Sequence, residues 1–258
     1  MSTIKRRHQT IVDLLRQEGG RLSVQTLSER LGVSTVTIRQ DLRALSAKDV
    51  LERVYGGAVL RASSPMSVEL SFEVRQGEAR KAKDAMGRFA AELVKDGYGI
   101  ALDGSTSAYA LVPYLKNMTN LTIVTNSMMV AQSFRDTPRI KVLVPAGRIR
   151  GESATIVGNP ESLPDINLSF GFFGAWGVSL DGGFSDVEPD EIAMRRAMMQ
   201  RCLRSVVVID SRKWGETAPY TYAQPQEVGR IISDDGAPPE LVEHFRALGV
   251  TVDLVPGV

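Results

Sequence analysis

The feature that most constrains this chain is a pair of short helical patterns near its N-terminus. Apolar residues at helical spacing predict one helix over residues 24–31 and another from Thr35 to about Ala47. Ser23 and Ser34 are suited to cap the starts of these helices, and Gly32 is suited to end the first. Because only a three-residue turn separates them, the chain must reverse tightly there, as in a helix-turn-helix.

Two flanking elements extend this pattern to a winged helix-turn-helix. Another helix is predicted over residues 4–17, and a hairpin is predicted over Val50–Leu60 around Gly56-Gly57. In such a module the second helix of the pair lies in the DNA major groove, where Gln reads adenine and Arg reads guanine or phosphate. The candidate DNA-binding residues are Ser34, Thr35, Thr37, Arg39, Gln40 and Arg43 on the helix, and Arg53 and Tyr55 on the hairpin. A three-helix interaction module that binds no DNA remains the alternative.

The charge distribution separates this region from the rest of the chain. The formal net charge of the 258 residues is only +1. Residues 1–60 contain ten Lys and Arg and six Asp and Glu, a net charge of +4, whereas residues 61–258 contain 21 and 24, a net charge of −3. This asymmetry favours a polyanion as the partner of the N-terminal region, although a solvated basic face would give the same count.

The N-terminal motif is similar to that of the DeoR family of bacterial transcriptional regulators. The resemblance rests on the spacing of apolar residues from Arg7 onward and on the run Val-Ser-Thr-Val-Thr-Ile-Arg-Gln-Asp-Leu that ends at Leu42. Tyr-Gly-Gly-Ala, residues 55–58, resembles the wing of the family. Gln40 stands where the family usually has Arg, which leaves the operator sequence open.

The remainder of the chain predicts a linker followed by a larger α/β domain. Residues 61–75 are rich in Ser and interrupted by Pro65, as is typical of an interdomain connection. We therefore expect domains at residues 1–60 and 76–258. After a long helix predicted over Gly77–Lys95, strands alternate with helices, which indicates a mostly parallel sheet. The predicted strands cover residues 99–103, 121–125, 140–144, 169–174 and 205–210.

Polar residues follow several of these strands, at the edge where parallel sheets bind ligands. The segment Asp103–Ser107 offers a glycine backbone and three hydroxyl groups suited to a phosphate, although Gly-Ser-Thr also forms ordinary helix caps. Arg148 and Lys213 are candidates to hold an anionic group. Acidic residues at these ends are candidates to accept hydrogen bonds from sugar hydroxyls; they include Asp103, Glu152 and Asp186. Each charged residue could equally be a solvated surface group.

This domain also resembles the C-terminal effector domain of the DeoR family, which is related in fold to ribose-phosphate isomerases and senses phosphorylated sugars. The resemblance implies that the loop Gly104–Ser107 binds the phosphate and that Asn126, Arg148 and Lys213 line the sugar pocket. The full candidate effector site is Asp103, Gly104, Ser105, Thr106, Ser107, Asn126, Ser127, Arg148, Glu152, Gly174, Asp186, Glu191, Arg195 and Lys213. Family differences at Ser105, Ser107 and Arg195 leave the ligand open.

The composition argues against several classes of site and of protein. A single Cys and two His leave few ligands for a transition metal and exclude an internal disulfide. No run reaches the roughly 20 apolar residues of a membrane span, and no signal peptide is evident. We therefore expect a cytoplasmic protein without a cofactor, a bound metal or a membrane partner.

The sequence thus predicts a DNA-binding regulator and not an enzyme. We expect a homo-oligomer, either a dimer or a tetramer, that represses a sugar catabolic operon and is released from its operator by a phosphorylated sugar. The first alternative is a sugar-phosphate isomerase-like enzyme, in which Glu191 or a neighbouring carboxylate would be the general base. A scaffold protein with no sequence-specific DNA affinity is the second alternative.

Overall fold

A computed structural model of the chain describes residues 3–17, 21–47, 50–54, 56–60, 72–151 and 153–257. The chain divides into two compact units, Met1–Glu69 and Leu70–Val258. Within the described ranges, no helix has the length and apolar character needed to cross a membrane.

The N-terminal unit confirms the predicted winged helix-turn-helix. Its elements are helix α1 (Thr3–Gln17), strand β1 (Arg21–Ser23), helices α2 (Val24–Leu31) and α3 (Thr35–Ser46), and strands β2 (Leu51–Val54) and β3 (Gly57–Leu60). Ser23 and Ser34 cap α2 and α3 through their side chains, as expected, and Gly32 ends α2 in the left-handed conformation at φ 63°. The three strands form an antiparallel sheet in the order β1-β3-β2, so the short strand β1 widens the predicted hairpin.

The helices of this unit enclose a core that fixes α3. Ile38, Leu42 and Leu45 are buried along one face of α3, the stripe that the sequence predicts. They pack with Ile11 and Leu15 of α1 in one apolar cluster. The opposite face of α3 is therefore left for solvent or a partner.

The C-terminal unit alternates strands and helices. Its helices are α4 (Phe72–Gly77), α5 (Arg80–Ala91), α6 (Thr106–Tyr109), α7 (Val112–Leu115), α8 (Met128–Ser133), α9 (Pro189–Gln200) and α10 (Pro239–Ala247). Its strands are β4 (Gly99–Leu102), β5 (Leu121–Thr125), β6 (Ile140–Leu143), β7 (Arg148–Arg150), β8 (Thr155–Val157), β9 (Phe170–Phe173), β10 (Gly177–Ser179), β11 (Gly183–Asp186), β12 (Ser205–Val208), β13 (Tyr220–Ala223), β14 (Arg230–Asp234) and β15 (Thr251–Val255).

Seven strands form one parallel sheet in the order β15-β14-β12-β9-β4-β5-β6. This confirms the predicted α/β architecture, although β14 and β15 were not among the predicted strands. The central strands are buried and apolar, as expected of a sheet covered on both faces. Two smaller antiparallel groups accompany the sheet, a β7-β8 hairpin and a β10-β11-β13 sheet. The loops that follow β12, β9, β4 and β5 consequently lie side by side at one edge.

The predicted linker and the helix after it differ from the structure. Residues 61–71 lie outside the described residues, but residues 72–75 belong to α4, whose Phe72 is buried against the ring of Tyr109 at 5.1 Å between centroids. The helix predicted over Gly77–Lys95 is present but shorter, since α5 covers Arg80–Ala91. It cannot begin at Gly77, because Ala79 adopts φ 45° between α4 and α5. A residue with positive φ cannot continue a right-handed helix.

Candidate functional site

The exposed face of α3 carries most of the predicted DNA-binding residues. Arg39, Gln40 and Arg43 are exposed, whereas Thr35 and Thr37 are half-buried beside them. Ser34 is occupied as the helix cap, since its Oγ accepts a hydrogen bond from the backbone N–H of Thr37 at 3.1 Å. Two further residues were predicted on the hairpin: Arg53 is exposed on β2, and Tyr55 lies outside the described residues.

A buried ion pair between α1 and α3 holds this face in place. Asp41 accepts hydrogen bonds from Arg7 Nε and Nη2 at 2.6 and 3.0 Å, and it lies 2.9 Å from Nε2 of His8. Its side chain is only 5% exposed. Burial alone would raise the pKa of Asp41, but the hydrogen bonds and charges of Arg7 and His8 hold it below its ordinary value. No motif in the sequence indicates this pair.

In the C-terminal unit, Asp103 fixes the loop that follows β4. Its Oδ1 accepts a hydrogen bond from the backbone N–H of Ser105, and its Oδ2 accepts one from the backbone N–H of Gly174 after β9, each at 3.0 Å. Ser105 Oγ in turn accepts from the backbone N–H of Ala108 at 3.1 Å and caps α6. Asp103 thus joins the ends of two neighbouring strands and shapes the loop Gly104–Ser107.

Gly104 permits this loop to pass close to the β7-β8 hairpin. A Cβ atom at Gly104 would lie 2.1 Å from Cγ2 of Thr155 and 3.9 Å from Oδ1 of Asn126. Thr155 is buried and cannot turn aside, because its hydroxyl donates to Oε1 of Glu191 at 2.6 Å. The structure therefore brings the predicted phosphate loop together with Asn126 and, through Thr155, with Glu191.

Asn126 is the clearest sign of a ligand site. It is 3% exposed, and among the described side chains its Oδ1 is a buried oxygen with no hydrogen-bond partner. A buried polar atom without a partner is destabilising and calls for a group to satisfy it. Ser127, next to it, is engaged in the fold, since its Oγ accepts from the backbone N–H of Val130 at 3.3 Å.

Lys83 of α5 contributes a positive charge that was not among the residues predicted from the sequence. Its ammonium group donates to Oγ1 of Thr106 at 3.0 Å, inside the predicted phosphate loop. Burial lowers the pKa of Lys83 to about 8, although Asp210 and Glu78 oppose that shift. The signal in the sequence was its spacing: Lys83 lies in phase with Met86 and Ala90 on the buried face of α5.

Arg195 is the centre of a buried charge network beneath the loop. Its Nε lies 2.9 Å from Oδ2 of Asp103, its Nη1 donates to Oδ2 of Asp186 at 2.6 Å, and its guanidinium carbon lies 4.7 Å from the centre of the Tyr222 ring. Glu191 approaches its Nη2 at 4.0 Å. Burial alone would lower the pKa of Arg195, but the charges of Asp186 and Asp103 raise it, so the guanidinium stays protonated.

Two arginines of the β7-β8 hairpin, Arg150 and the predicted Arg148, differ in their burial. The guanidinium of Arg150 is 11% exposed and donates to Glu191 at 2.7 Å and to Glu188 at 2.8 Å. The side chain of Arg148 is 65% exposed and pairs with Asp190, itself 49% exposed. The structure thus does not bring Arg148 into the buried cluster and places Arg150 there instead; Glu152 lies outside the described residues.

Lys213 lies after β12, at the same edge of the sheet as the loops that follow β4, β5 and β9. Its ammonium group is 5.3 Å from the centre of the Trp176 ring. Burial lowers the pKa of Lys213, and the charge of Asp210 opposes the shift. The charge of Asp210 also raises the pKa of Lys83, so one carboxylate acts on both ammonium groups.

A cavity of about 780 Å³ occupies the other edge of the sheet. It lies where β9, β12, β14 and β15 begin, and Phe170, Arg204 and Arg230 contribute to its lining. None of the described residues predicted to bind the effector lines it. The cavity therefore contains none of these predicted residues, although Tyr222, the ring over which Arg195 lies, also contributes to its lining.

Two family descriptions match the sequence. The DeoR-like helix-turn-helix domain matches residues 7–64, and the DeoR C terminal sensor domain matches residues 78–235. The first match contains α2 and α3, and the second contains the loop Gly104–Ser107, Asn126 and Lys83.

Relatives match along nearly the whole chain. The putative aga operon transcriptional repressor of Escherichia coli O157:H7 is 32% identical over 98% of this chain and 94% of its own length. The glycerol-3-phosphate regulon repressor of Escherichia coli strain K12 is 29% identical over 90% of this chain and 91% of its own length. Among solved structures, ribose 5-phosphate isomerase A from Methanocaldococcus jannaschii is similar at 18% identity and a TM-score of 0.38, over 51% of this chain and 53% of that one.

Proposed function

The chain belongs to the DeoR family of transcriptional regulators, and on this premise we propose that it represses a sugar catabolic operon and is released from its operator by a phosphorylated sugar. Family membership decides against the isomerase alternative, since the relatives are named as regulators and not as enzymes. We assign operator binding to residues 1–60 and effector binding to the C-terminal unit. The protein then acts in the cytoplasm, as a dimer or tetramer that presents several winged helix-turn-helix units to repeated half-sites.

The observation that supports a phosphorylated effector is the group of unsatisfied and cationic atoms around the loop Gly104–Ser107. Asn126 Oδ1 has the capacity to accept a hydrogen bond from a sugar hydroxyl, and the ammonium of Lys83 beside Thr106 is suited to a phosphate oxygen. One relative is named for a regulon of glycerol-3-phosphate, a phosphorylated polyol. Because the C-terminal region is acidic overall, these few placed groups must hold the anion.

Release from DNA requires that the effector bind the two arrangements of the protein with different affinities. By linkage, effector binding must then weaken operator binding by the same factor that operator binding weakens effector binding. The test is to titrate a panel of pentose, hexose and triose phosphates against the intact protein bound to the DNA upstream of its own gene. We expect one class of sugar phosphate to release the protein; an operator complex indifferent to every member of the panel would contradict the proposal.

Replacing Lys83 by glutamine is expected to weaken binding of the active sugar phosphate by about ten- to a hundredfold, because a charge-assisted hydrogen bond is lost. The binding constant is measured by isothermal titration of the intact protein. Wild-type affinity should fall as the pH rises through about 8, where Lys83 loses its proton, while the sugar phosphate stays fully ionised.

The matched control is Lys81→Gln, which removes an exposed lysine from the same helix. Its effector affinity should equal that of the wild type, and the affinity of the Lys83 variant should not fall above pH 8. Equal effector affinity in both variants would remove Lys83 from the site.

Arg43→Ala is expected to weaken operator binding by about 1 to 3 kcal/mol where the arginine contacts a base. Fluorescence anisotropy with labelled operator and with random duplex DNA separates this from a phosphate contact, whose loss weakens both duplexes equally. Arg39→Ala is tested in parallel, and Arg135→Ala, an exposed arginine of the C-terminal unit, is the control. Full operator affinity in both helix variants would exclude this face of α3.

A further inference from the structure

The face of α3 that is left for DNA contains one apolar residue. Exposed side chains along α3 are Val36, Arg39, Gln40 and Arg43, at positions i, i+3, i+4 and i+7, which is one stripe of a helix. Val36 begins that stripe, and its side chain is 60% exposed. The buried stripe of Ile38, Leu42 and Leu45 lies on the other side.

This exposure is unusual for the unit. The other large apolar side chains that are exposed in the described parts of the chain, Val144, Ile149, Leu180, Leu203, Leu248 and Leu254, all belong to the C-terminal unit. Nothing in the core of the N-terminal unit needs Val36, because the cluster that fixes α3 is formed by other residues. Its two methyl groups are therefore available to a partner of that helix face.

On the basis of the operator binding proposed above, we propose that Val36 reads the C5-methyl group of a thymine in the major groove. The three polar members of the same stripe, two arginines and a glutamine, match the groups that recognise guanine, adenine and phosphate. The apolar feature that the major groove offers is the thymine methyl group.

The local structure holds Val36 rigidly for this contact. Ser34 and Thr37 fix the first turn of α3 through the cap at 3.1 Å, and the first turn of a recognition helix contacts base edges. A β-branched valine in a helix has one strongly preferred χ1 rotamer. Its methyl groups therefore keep one direction before DNA binds, and little entropy is lost when they contact a base.

The experiment compares thymine and uracil, which differ only in that methyl group. The intact protein first selects its preferred sites from a random duplex pool, and each thymine of the selected site is then replaced by uracil. For the wild type, a single replacement at the contacted position in one half-site should weaken binding about fourfold, as expected for one methyl group no longer removed from water. Val36→Ala should bind the thymine and uracil duplexes equally at that position, and its selected sites should lose the preference for thymine there.

Two variants complete the test. Val144→Ala makes the same chemical change at an exposed valine of the C-terminal unit and should keep the full sensitivity to uracil. Val36→Thr retains one methyl group and should keep part of it; its circular dichroism and that of Val36→Ala should match the wild type. The proposal is overturned if the wild type tolerates uracil at every position, if Val36→Ala keeps the wild-type sensitivity, or if Val36→Ala weakens selected and random DNA equally.

Discussion

Replacing Arg195 by methionine is expected to lower the free energy of unfolding of the C-terminal unit by about 3 to 5 kcal/mol. The substitution keeps an apolar stem but removes the cation between Asp103 and Asp186, whose carboxylates lie 2.9 and 2.6 Å from the guanidinium. Asp103 is only 1% exposed, so water cannot solvate its carboxylate in place of the lost guanidinium. Loss of a buried partner costs far more than the pair itself contributes.

Chemical denaturation of the intact protein, monitored by tryptophan fluorescence, reports on the unfolding of the C-terminal unit. Both tryptophans of the chain, Trp176 and Trp214, lie in the C-terminal unit. The control is Arg135→Met, because Arg135 and its partner Asp136 are 73% and 83% exposed; its effect should stay within about 0.5 kcal/mol. A denaturation midpoint for Arg195→Met equal to that of the control would show that the network does not stabilise the unit.

Replacing Asp41 by alanine is expected to destabilise the N-terminal unit by about 3 kcal/mol. The change leaves Arg7 and His8 of α1 without the carboxylate that joins them to α3. Hydrogen exchange of the α3 amides in the intact protein measures the local unfolding free energy. Operator binding should weaken as well, because the recognition face is no longer held against α1.

The stabilising effect of Asp41 also depends on pH in a defined direction. Because the folded pKa of Asp41 lies below its ordinary value of 3.8, its contribution is fully present above pH of about 4 and is lost as the pH falls through the folded pKa. The difference between the wild type and Asp41→Ala should therefore shrink in acid. Glu29→Ala removes an exposed carboxylate of α2 and serves as the control; protection of α3 equal in both variants would contradict the role of Asp41.

The local elements followed from the sequence because they depend on neighbouring residues. Caps at Ser23 and Ser34, the glycine that ends α2, and the apolar stripe of α3 are each specified within a few positions of the chain. Five of the seven strands of the parallel sheet, β4, β5, β6, β9 and β12, were predicted for the same reason, as short apolar runs between polar loops; β14 and β15 were not. The break at Ala79 was not, since no glycine or proline marks a left-handed residue there.

Some residues of the candidate site were likewise predictable from the sequence, and others were not. Sequence pattern indicated the loop Gly104–Ser107 and Asn126, because glycine and hydroxyl residues stand directly after strands. It could not distinguish Arg148 from Arg150, two residues apart on one strand, since the choice depends on the carboxylates that α9 brings to the hairpin. Nor could it show that Asp103 and Arg195 neutralise each other beneath the loop.

By itself, the sequence determined a basic winged helix-turn-helix followed by a larger, mildly acidic α/β domain, together with the family. Helical periodicity, capping and charge are local or additive properties, so they can be read along the chain. Only the tertiary structure decided which polar side chains are paired within the protein and which are left for a ligand. That distinction depends on contacts between residues far apart in sequence: Arg7 with Asp41, Lys83 with Thr106, and the oxygen of Asn126 that finds no partner among the described residues.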